Sequence, residues 1–277
     1  MDTIELTVNL KPKDPWSDIL IAELSDKGFD SFVNTPTGVV AYCEATVNLD
    51  QVVEETILNG EMAVEIDYSK KVIPYKNWNA KWEEDFHPVF VEDYATIVAP
   101  FHKDVDTQGM EVIIQPQMSF GTGHHQTTWM MTKALFELDI MPKEVLDMGT
   151  GTGVLAIVAE KLGAKNVLAI DIEDWSAINA QENCDRNNCK IVTCLCGDID
   201  KVEGERFGLI IANINKNILK SHMKIYAESL EQGGTLLLSG FFKSDVDEMV
   251  EYTSDFDLEK TKVFSKDEWA FIQLNKK

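Results

Sequence analysis

From residue 143 onward, short apolar runs alternate with stretches in which apolar residues recur every three or four positions. The first pattern belongs to strands buried on both faces, the second to amphipathic helices. Strands are predicted at 145–148, 166–171, 191–197, 209–213 and 235–239, and helices at 153–162, 174–186, 216–231 and 245–252. Two last strand-like runs, 256–264 and 269–274, are separated by only Ser265-Lys266-Asp267-Glu268. Parallel neighbours need long crossovers, so this short join predicts an antiparallel pair. The pattern as a whole predicts an α/β, doubly wound, Rossmann-like sheet that finishes in an antiparallel hairpin.

The first quarter of the chain is patterned differently. Residues 4–10 alternate as a strand, and a helical pattern through Ile19, Leu20 and Leu24 closes at Gly28. Two strand runs, 32–35 and 39–45, flank Pro36-Thr37-Gly38, a hairpin signature. A second amphipathic helix carries Val52, Val53 and Ile57 and ends near Gly60, before a short strand at 63–67. This order predicts a small α+β domain over 1–70. Residues 71–91 hold Tyr75, Trp78, Trp82, Phe86 and Pro88 among polar neighbours and are predicted to be an aromatic linker, with a short helix over 77–85. That helix would set Trp78 and Trp82 on one face. The main domain then covers 92–277, opening with two strands, 96–101 and 110–115, around a polar loop.

Two glycine-rich turns interrupt this pattern at strand-to-helix junctions. In Val145-Leu146-Asp147-Met148-Gly149-Thr150-Gly151-Thr152-Gly153 a strand runs into three alternating glycines and then into a helix. Such a turn lets the backbone approach a ligand closely. A dinucleotide fingerprint wants its third glycine three positions after the second, where Val154 stands. No triphosphate-binding G-x-x-x-x-G-K-[ST] run is present. Asp171, 20 residues after Gly151 and at the end of the next strand, is placed to accept both hydroxyls of a ribose. The ribose is therefore supported and a pyrophosphate is not. The second turn, Phe120-Gly121-Thr122-Gly123-His124-His125-Gln126-Thr127-Thr128, also enters a helix.

Charge narrows the partners. The 277-residue chain has a formal net charge of −22, which argues against a direct grip on nucleic acid and suits a basic protein partner. The 1–70 segment alone holds 14 acids against 4 lysines. No apolar run reaches the ~20 residues of a membrane span. The first residues, Met1-Asp2-Thr3-Ile4-Glu5, lack a basic and an apolar signal region. Cys43, Cys184, Cys189, Cys194 and Cys196 form no C-x-x-C pair, and the pair His124-His125 sits in no metal-ligand spacing. Reduced thiols, no metal and a cytoplasmic, monomeric protein are expected.

At these residues the chain resembles a known family. The Asp147-x-Gly149-x-Gly151-x-Gly153 run, the acid Asp171, the terminal hairpin and Asn213 after the fourth strand look like a class I S-adenosylmethionine-dependent methyltransferase. Three further features resemble the bacterial methyltransferases of ribosomal large-subunit protein eleven. They are Phe120-Gly121-Thr122-Gly123-x-His125-x-Thr127-Thr128, the connector Asn77-Trp78…Trp82…Phe86-His87-Pro88, and Ala212-Asn213-Ile214. The resemblance covers essentially the whole chain. It implies that S-adenosylmethionine is the cofactor, with Gly149 and Gly151 against its methionine part, Asp171 on the ribose, Asp198 on the adenine amino group, and Thr128 helping to hold it. It implies that Asn213 sits beside the methyl group; Asp147 is read as bracing the glycine loop, and His125 as either orienting Thr127–Thr128 or simply structural. The implied substrate is the basic ribosomal protein, docked by the acidic 1–70 domain and methylated on lysine and/or N-terminal amines. Thr150 and Thr152 stand where family members often carry Ser or Cys, and Asn215-Lys216 after Ile214 is a second departure.

Methyl transfer from a sulfonium is an in-line displacement, so the protein must position two reactants and exclude water. The acceptor amine must be neutral, yet a lysine of pKa about 10.4 is unprotonated in only about one molecule per few thousand at neutral pH. No certain general base is legible in the sequence. The rival readings are an NAD-dependent oxidoreductase and a non-catalytic S-adenosylmethionine-binding protein; the position of the third glycine and the terminal hairpin count against the first.

Overall fold

A computed structural model describes residues 2–60, 64–75 and 78–277, with the backbone alone at 78–81. The expected strand start at residue 63, Asn77 and the side chain of Trp78 lie outside the described residues. The chain divides into two compact units, 1–85 and 86–277. The division falls inside the 71–91 stretch read as a linker.

In the first unit, β1 (Thr3–Lys11) is followed by α1 (Trp16–Asp26), β2 (Phe29–Asn34), β3 (Gly38–Glu44), α2 (Leu49–Glu54), β4 (Glu65–Ile73) and α3 (Trp78–Asp85). The sheet order is β2-β3-β1-β4, antiparallel where β1 meets β3 and β4 and where β2 meets β3. This βαββαβ chain path is ferredoxin-like. Strict alternation along β1 buries Ile4, Leu6, Val8 and Leu10 against Leu20 and Leu24 of α1 and Val52 of α2. Asn48 caps α2 by accepting from the N–H groups of Asp50 and Gln51. β4 runs six residues beyond the expected strand, because polar residues on this edge strand hide its period.

The second unit opens with β5 (Val89–Val91), β6 (Ala95–Val98) and β7 (Met110–Ile113), a three-stranded sheet in which β6 is antiparallel to β5 and parallel to β7. β5 lies within the expected linker. Then come α4 (Gln126–Phe136), β8 (Glu144–Met148), α5 (Val154–Lys161), β9 (Asn166–Asp171), α6 (Asp174–Arg186), β10 (Val192–Cys196), β11 (Phe207–Asn213), α7 (Lys216–Ser229), β12 (Leu230–Phe242), α8 (Val246–Ser254), β13 (Leu258–Lys266) and β14 (Trp269–Lys276). They build a seven-stranded sheet of order β10-β9-β8-β11-β12-β14-β13. The pairs up to β11–β12 are parallel, and β14 is antiparallel to both β12 and β13. The doubly wound sheet with a terminal hairpin is therefore the observed fold.

Neighbouring residues of the central strands feed opposite cores. Val145, Val167, Leu209, Ile211 and Phe271 pack with α4 and α5 on one face, and Leu146, Ile170, Ile210, Leu236 and Ile272 with α7 and α8 on the other. Both faces are covered, which explains the unbroken apolar runs in the sequence. The path turns back after β10 to place β11 beside β8, so the strand order switches between them, and ligands of such sheets bind at the carboxyl ends there. No described helix is long and apolar enough to cross a membrane. The five cysteines are free thiols.

Phe271 is fully buried on β14 and its ring lies 4.5 Å from that of Phe264. Phe271→Ala should cost about 3–5 kcal/mol in urea unfolding, and Ile140→Ala, at an exposed site, no more than about 0.5 kcal/mol.

Candidate active site

The glycine turn between β8 and α5 is held by donors that all point inward. Gly149 and Thr150 give their N–H groups to the Ile170 carbonyl at 2.8 and 3.0 Å, and Gly153 gives its own to Thr150 at 2.9 Å. The Gly151 N–H goes to Asp171 Oδ2 at 2.9 Å, and the Thr152 N–H to the Phe120 carbonyl at 2.8 Å. All five loop N–H groups are thus consumed by the protein. A phosphate-cradling turn must keep such donors for its ligand, so this turn is not built for a pyrophosphate.

Two of the glycines are dictated by contact. Gly151 has φ +56°, and a Cβ there would lie 2.1 Å from the Phe120 carbonyl oxygen. At Gly149, φ is +75° and a Cβ would meet Ile214 Cγ2 at 2.2 Å. The threonines that depart from the family pattern have defined tasks. Thr150 Oγ1 donates to Asp147 Oδ2 at 2.6 Å, and Thr152 Oγ1 donates to the Gly121 carbonyl at 2.6 Å. Asp147 is wholly buried, and burial pushes its carboxyl up to about 7 against the opposing pull of Thr150 and the Ala156 N–H. It braces the loop from beneath, as its place inside the strand suggested.

The second glycine turn is tied down at both ends. His125 caps α4, its Nδ1 accepting from Thr127 N at 3.2 Å and from Thr127 Oγ1 at 2.8 Å. The contact is a helix cap, a structural role for this histidine. Burial holds the imidazole below its ordinary pKa, so it is neutral with its proton on Nε2. His124 Nε2 donates to the His87 carbonyl at 2.8 Å, and the Phe86 ring lies 4.4 Å from that of His124. The Phe86-His87-Pro88 end of the aromatic stretch is thereby fastened to the turn. A row of rings follows: Phe120 to His125 at 5.1 Å, His125 to Trp269 at 4.6 Å, and Trp269 to Phe242 at 4.5 Å.

A cleft of about 570 Å³ opens at the carboxyl ends of β8 to β11. It brings together five of the six expected residues, Gly149, Gly151, Asp171, Asp198 and Asn213. Thr128 is placed elsewhere: it is fully buried in the first turn of α4, does not line the cleft, and its hydroxyl has no partner among the described residues. Asp171 accepts from Gly151 N through Oδ2 and from Glu173 N through Oδ1 at 3.1 Å, leaving a lone pair on each oxygen for a ligand diol. Asn213 Oδ1 is buried without a donor among the described residues. Leaving a buried acceptor unpaired costs about 1–3 kcal/mol and marks a place for a ligand donor. Asn215 and Lys216, the second departure, are structural: Asn215 caps α7, and Lys216 Nζ binds Asp245 and Glu248 at 2.7 and 2.8 Å.

Sequence reasoning missed part of the cleft wall. Phe120, Ile172, Trp175, Ile218 and His222 also line it. Ile172 is 67% exposed and Trp175 51%. The available signal was an apolar residue directly after the strand-end acid and a Trp on the solvent side of α6. Among the described residues no group of three or more His, Cys, Asp or Glu could hold a metal ion.

The profile of the family described as "Ribosomal protein L11 methyltransferase (PrmA)" matches residues 17–277. The chain belongs to that family. It is 40% identical over 263 residues to the ribosomal protein L11 methyltransferase of Porphyromonas gingivalis, covering 93% of this chain and 90% of that protein. The L11 methyltransferase of Phocaeicola vulgatus is 36% identical over 278 residues, 99% of either chain. Among solved structures, ribosomal protein L11 methylase from Lactobacillus delbrueckii subsp. bulgaricus superposes with a TM-score of 0.64 at 27% identity, covering 69% of this chain and all of that one. The α/β sheet is accordingly a methyltransferase fold.

The buried Asp147 gives a pH signature. Its folded-state pKa, about 7, lies above the ordinary value of 3.8. Between those values the folded protein keeps a proton that the unfolded chain loses, so stability falls as pH rises through the window and levels off above it. Asp147→Asn removes this dependence. The stability of the variant relative to wild type should rise by about 2–3 kcal/mol between pH 5 and pH 8, followed by urea unfolding; a constant difference would reject the buried acid.

Proposed function

We propose that the chain is an S-adenosylmethionine-dependent protein N-methyltransferase that modifies lysine and/or N-terminal amines of ribosomal protein L11. The observation that carries this reading is the unpaired, buried Asn213 Oδ1 in a cleft that Asp171 and Asp198 also line. The cleft offers an acceptor to an amine, carboxylates to a ribose diol and an amino group, and apolar side chains around them. The volume suits a nucleoside-sized ligand, within the roughly 300–1,000 Å³ of small-molecule sites. Bound S-adenosylmethionine supplies a methyl group on a positive sulfur, an electrophile that an acidic protein attracts.

The residues of the chain then have separate tasks. Gly149 and Gly151 keep the backbone bare against the methionine part, and Asp171 accepts the ribose hydroxyls. Asp198 accepts from the adenine amino group, while Phe120, Ile172, Trp175 and Ile218 exclude water. Asn213 Oδ1 accepts an N–H of the incoming amine and so fixes the direction of its lone pair. The neutral ring row beginning at Phe120 gives an apolar approach, which favours the uncharged amine by desolvation. The 1–85 unit carries the acidic N-terminal segment and acts as the docking module for the lysine-rich substrate, by charge steering.

Incubating the protein with purified L11 and S-adenosylmethionine should add methyl-sized increments to the intact mass of L11; an unchanged mass would reject the substrate. Asp171→Ala should weaken S-adenosylhomocysteine binding at least about tenfold in calorimetry, and unchanged affinity would reject the ribose contact.

A further inference from the structure

Helix α7 carries a stripe at helical spacing that runs from the cleft into the core. Ile218 and His222 line the cleft, and Tyr226, four residues on, is fully buried. His222 is itself 8% exposed. Its Nδ1 lies 3.3 Å from the Tyr226 hydroxyl, and its Nε2 lies 3.4 Å from Asp198 Oδ1. Nothing in the reaction described above uses His222 or Tyr226.

The tautomer follows from the neighbours. Burial raises the Tyr226 phenol well above its ordinary pKa, so it keeps its proton and donates it to Nδ1. Burial also lowers the His222 pKa, and Asp198 only partly opposes this, so the ring is neutral at neutral pH. A neutral ring accepting at Nδ1 carries its proton at Nε2, the nitrogen that faces Asp198. Asp198 Oδ1 also accepts from the Ile199 N–H at 2.7 Å. The Ile199 N–H is bonded to Oδ1 and Nε2 lies beside the same oxygen, while Oδ2 has no donor among the described residues. The Nε2 contact is long, and such contacts tighten when a ligand seats. In this structure the half-exposed Asp198 side chain is held by the Ile199 hydrogen bond, with His222 the neighbour placed to add a second.

Resting on the S-adenosyl reading of the cleft, we propose that His222, held by Tyr226, is a positioning residue that fixes Asp198 so that Oδ2 reads the exocyclic amino group of adenine. A carboxylate in this state is an acceptor only. It pairs with the adenine amino group and opposes the carbonyl that replaces it in hypoxanthine, and sites built this way reject the mismatched analogue strongly.

The test is calorimetry of the full-length protein with S-adenosylhomocysteine and S-inosylhomocysteine. Wild type should prefer the adenosyl compound by at least about tenfold. His222→Ala should remove most of that preference while leaving inosyl affinity within about twofold, and His222→Gln, which restores an N–H donor, should recover it. Asp198→Ala should abolish the preference, and adding His222→Ala to it should change nothing further, since coupled residues are not additive. If His222→Ala does not fold, Tyr226→Phe replaces it and should lower the preference by about threefold. Equal loss of affinity for both compounds, or an undiminished preference in these variants, would overturn the proposal and leave His222 as packing. A wild type that binds both equally would overturn it while sparing the cleft assignment. A wild type that binds neither would overturn both.

Discussion

Everything at the carboxyl edge of the sheet depends on one backbone contact, the Phe120 carbonyl against Gly151 and Thr152. The oxygen takes the Thr152 N–H and occupies the space a Cβ at 151 would fill. The neighbouring Gly121 carbonyl takes the Thr152 hydroxyl. Two turns far apart in sequence are thereby locked edge to edge. The lock sets Phe120 at the cleft rim and fixes the start of α4, from which His125 reaches Trp269. It also spends the Thr152 N–H on a protein acceptor, as Ile170, Asp171 and Thr150 take the other four loop donors. That expenditure is the physical difference between this turn and one that holds a pyrophosphate.

The electrostatics follow the same division. Carboxylates lie beneath and around the cleft, with Asp147 buried behind the glycine turn and Asp171, Glu173 and Asp198 along the wall. Among the described residues no lysine or arginine lines it. Such a site favours positive or hydrogen-bond-donating ligands over anions. It matches a sulfonium donor and a lysine-rich substrate, and the excess of acid along the chain extends that preference to longer range. Of the described side chains that line the cleft, Asn213 alone carries a buried acceptor without a donor.

The inner strands β8, β9 and β11 were legible as short apolar runs because both faces of the sheet are covered there, and the helices between them by their amphipathic period. The edges were not. β4 was cut short because seven of its nine residues are exposed, and β5 passed for linker because three residues carry no period. In the site, Gly149, Gly151, Asp171, Asp198 and Asn213 were legible because each sits at a strand end, where topology gathers residues without regard to sequence distance. Thr128 belonged to the same motif as His125, yet its side chain turns into the core, a choice made by helix phase rather than by motif. His222 and Trp175 were invisible for the opposite reason. They lie on helices whose dominant pattern is amphipathic, and a residue that faces a cleft reads there as one more polar or surface position.

The lock itself is most directly tested at Gly151. Gly151→Ala places a methyl group against the Phe120 carbonyl and in a left-handed conformation, while leaving the chemistry of every other cleft residue unchanged. S-adenosylhomocysteine affinity measured by calorimetry should fall at least about tenfold, with the far-ultraviolet circular dichroism of the sheet retained. Wild-type affinity in that variant would contradict the dependence of the site on the contact between the two glycine turns.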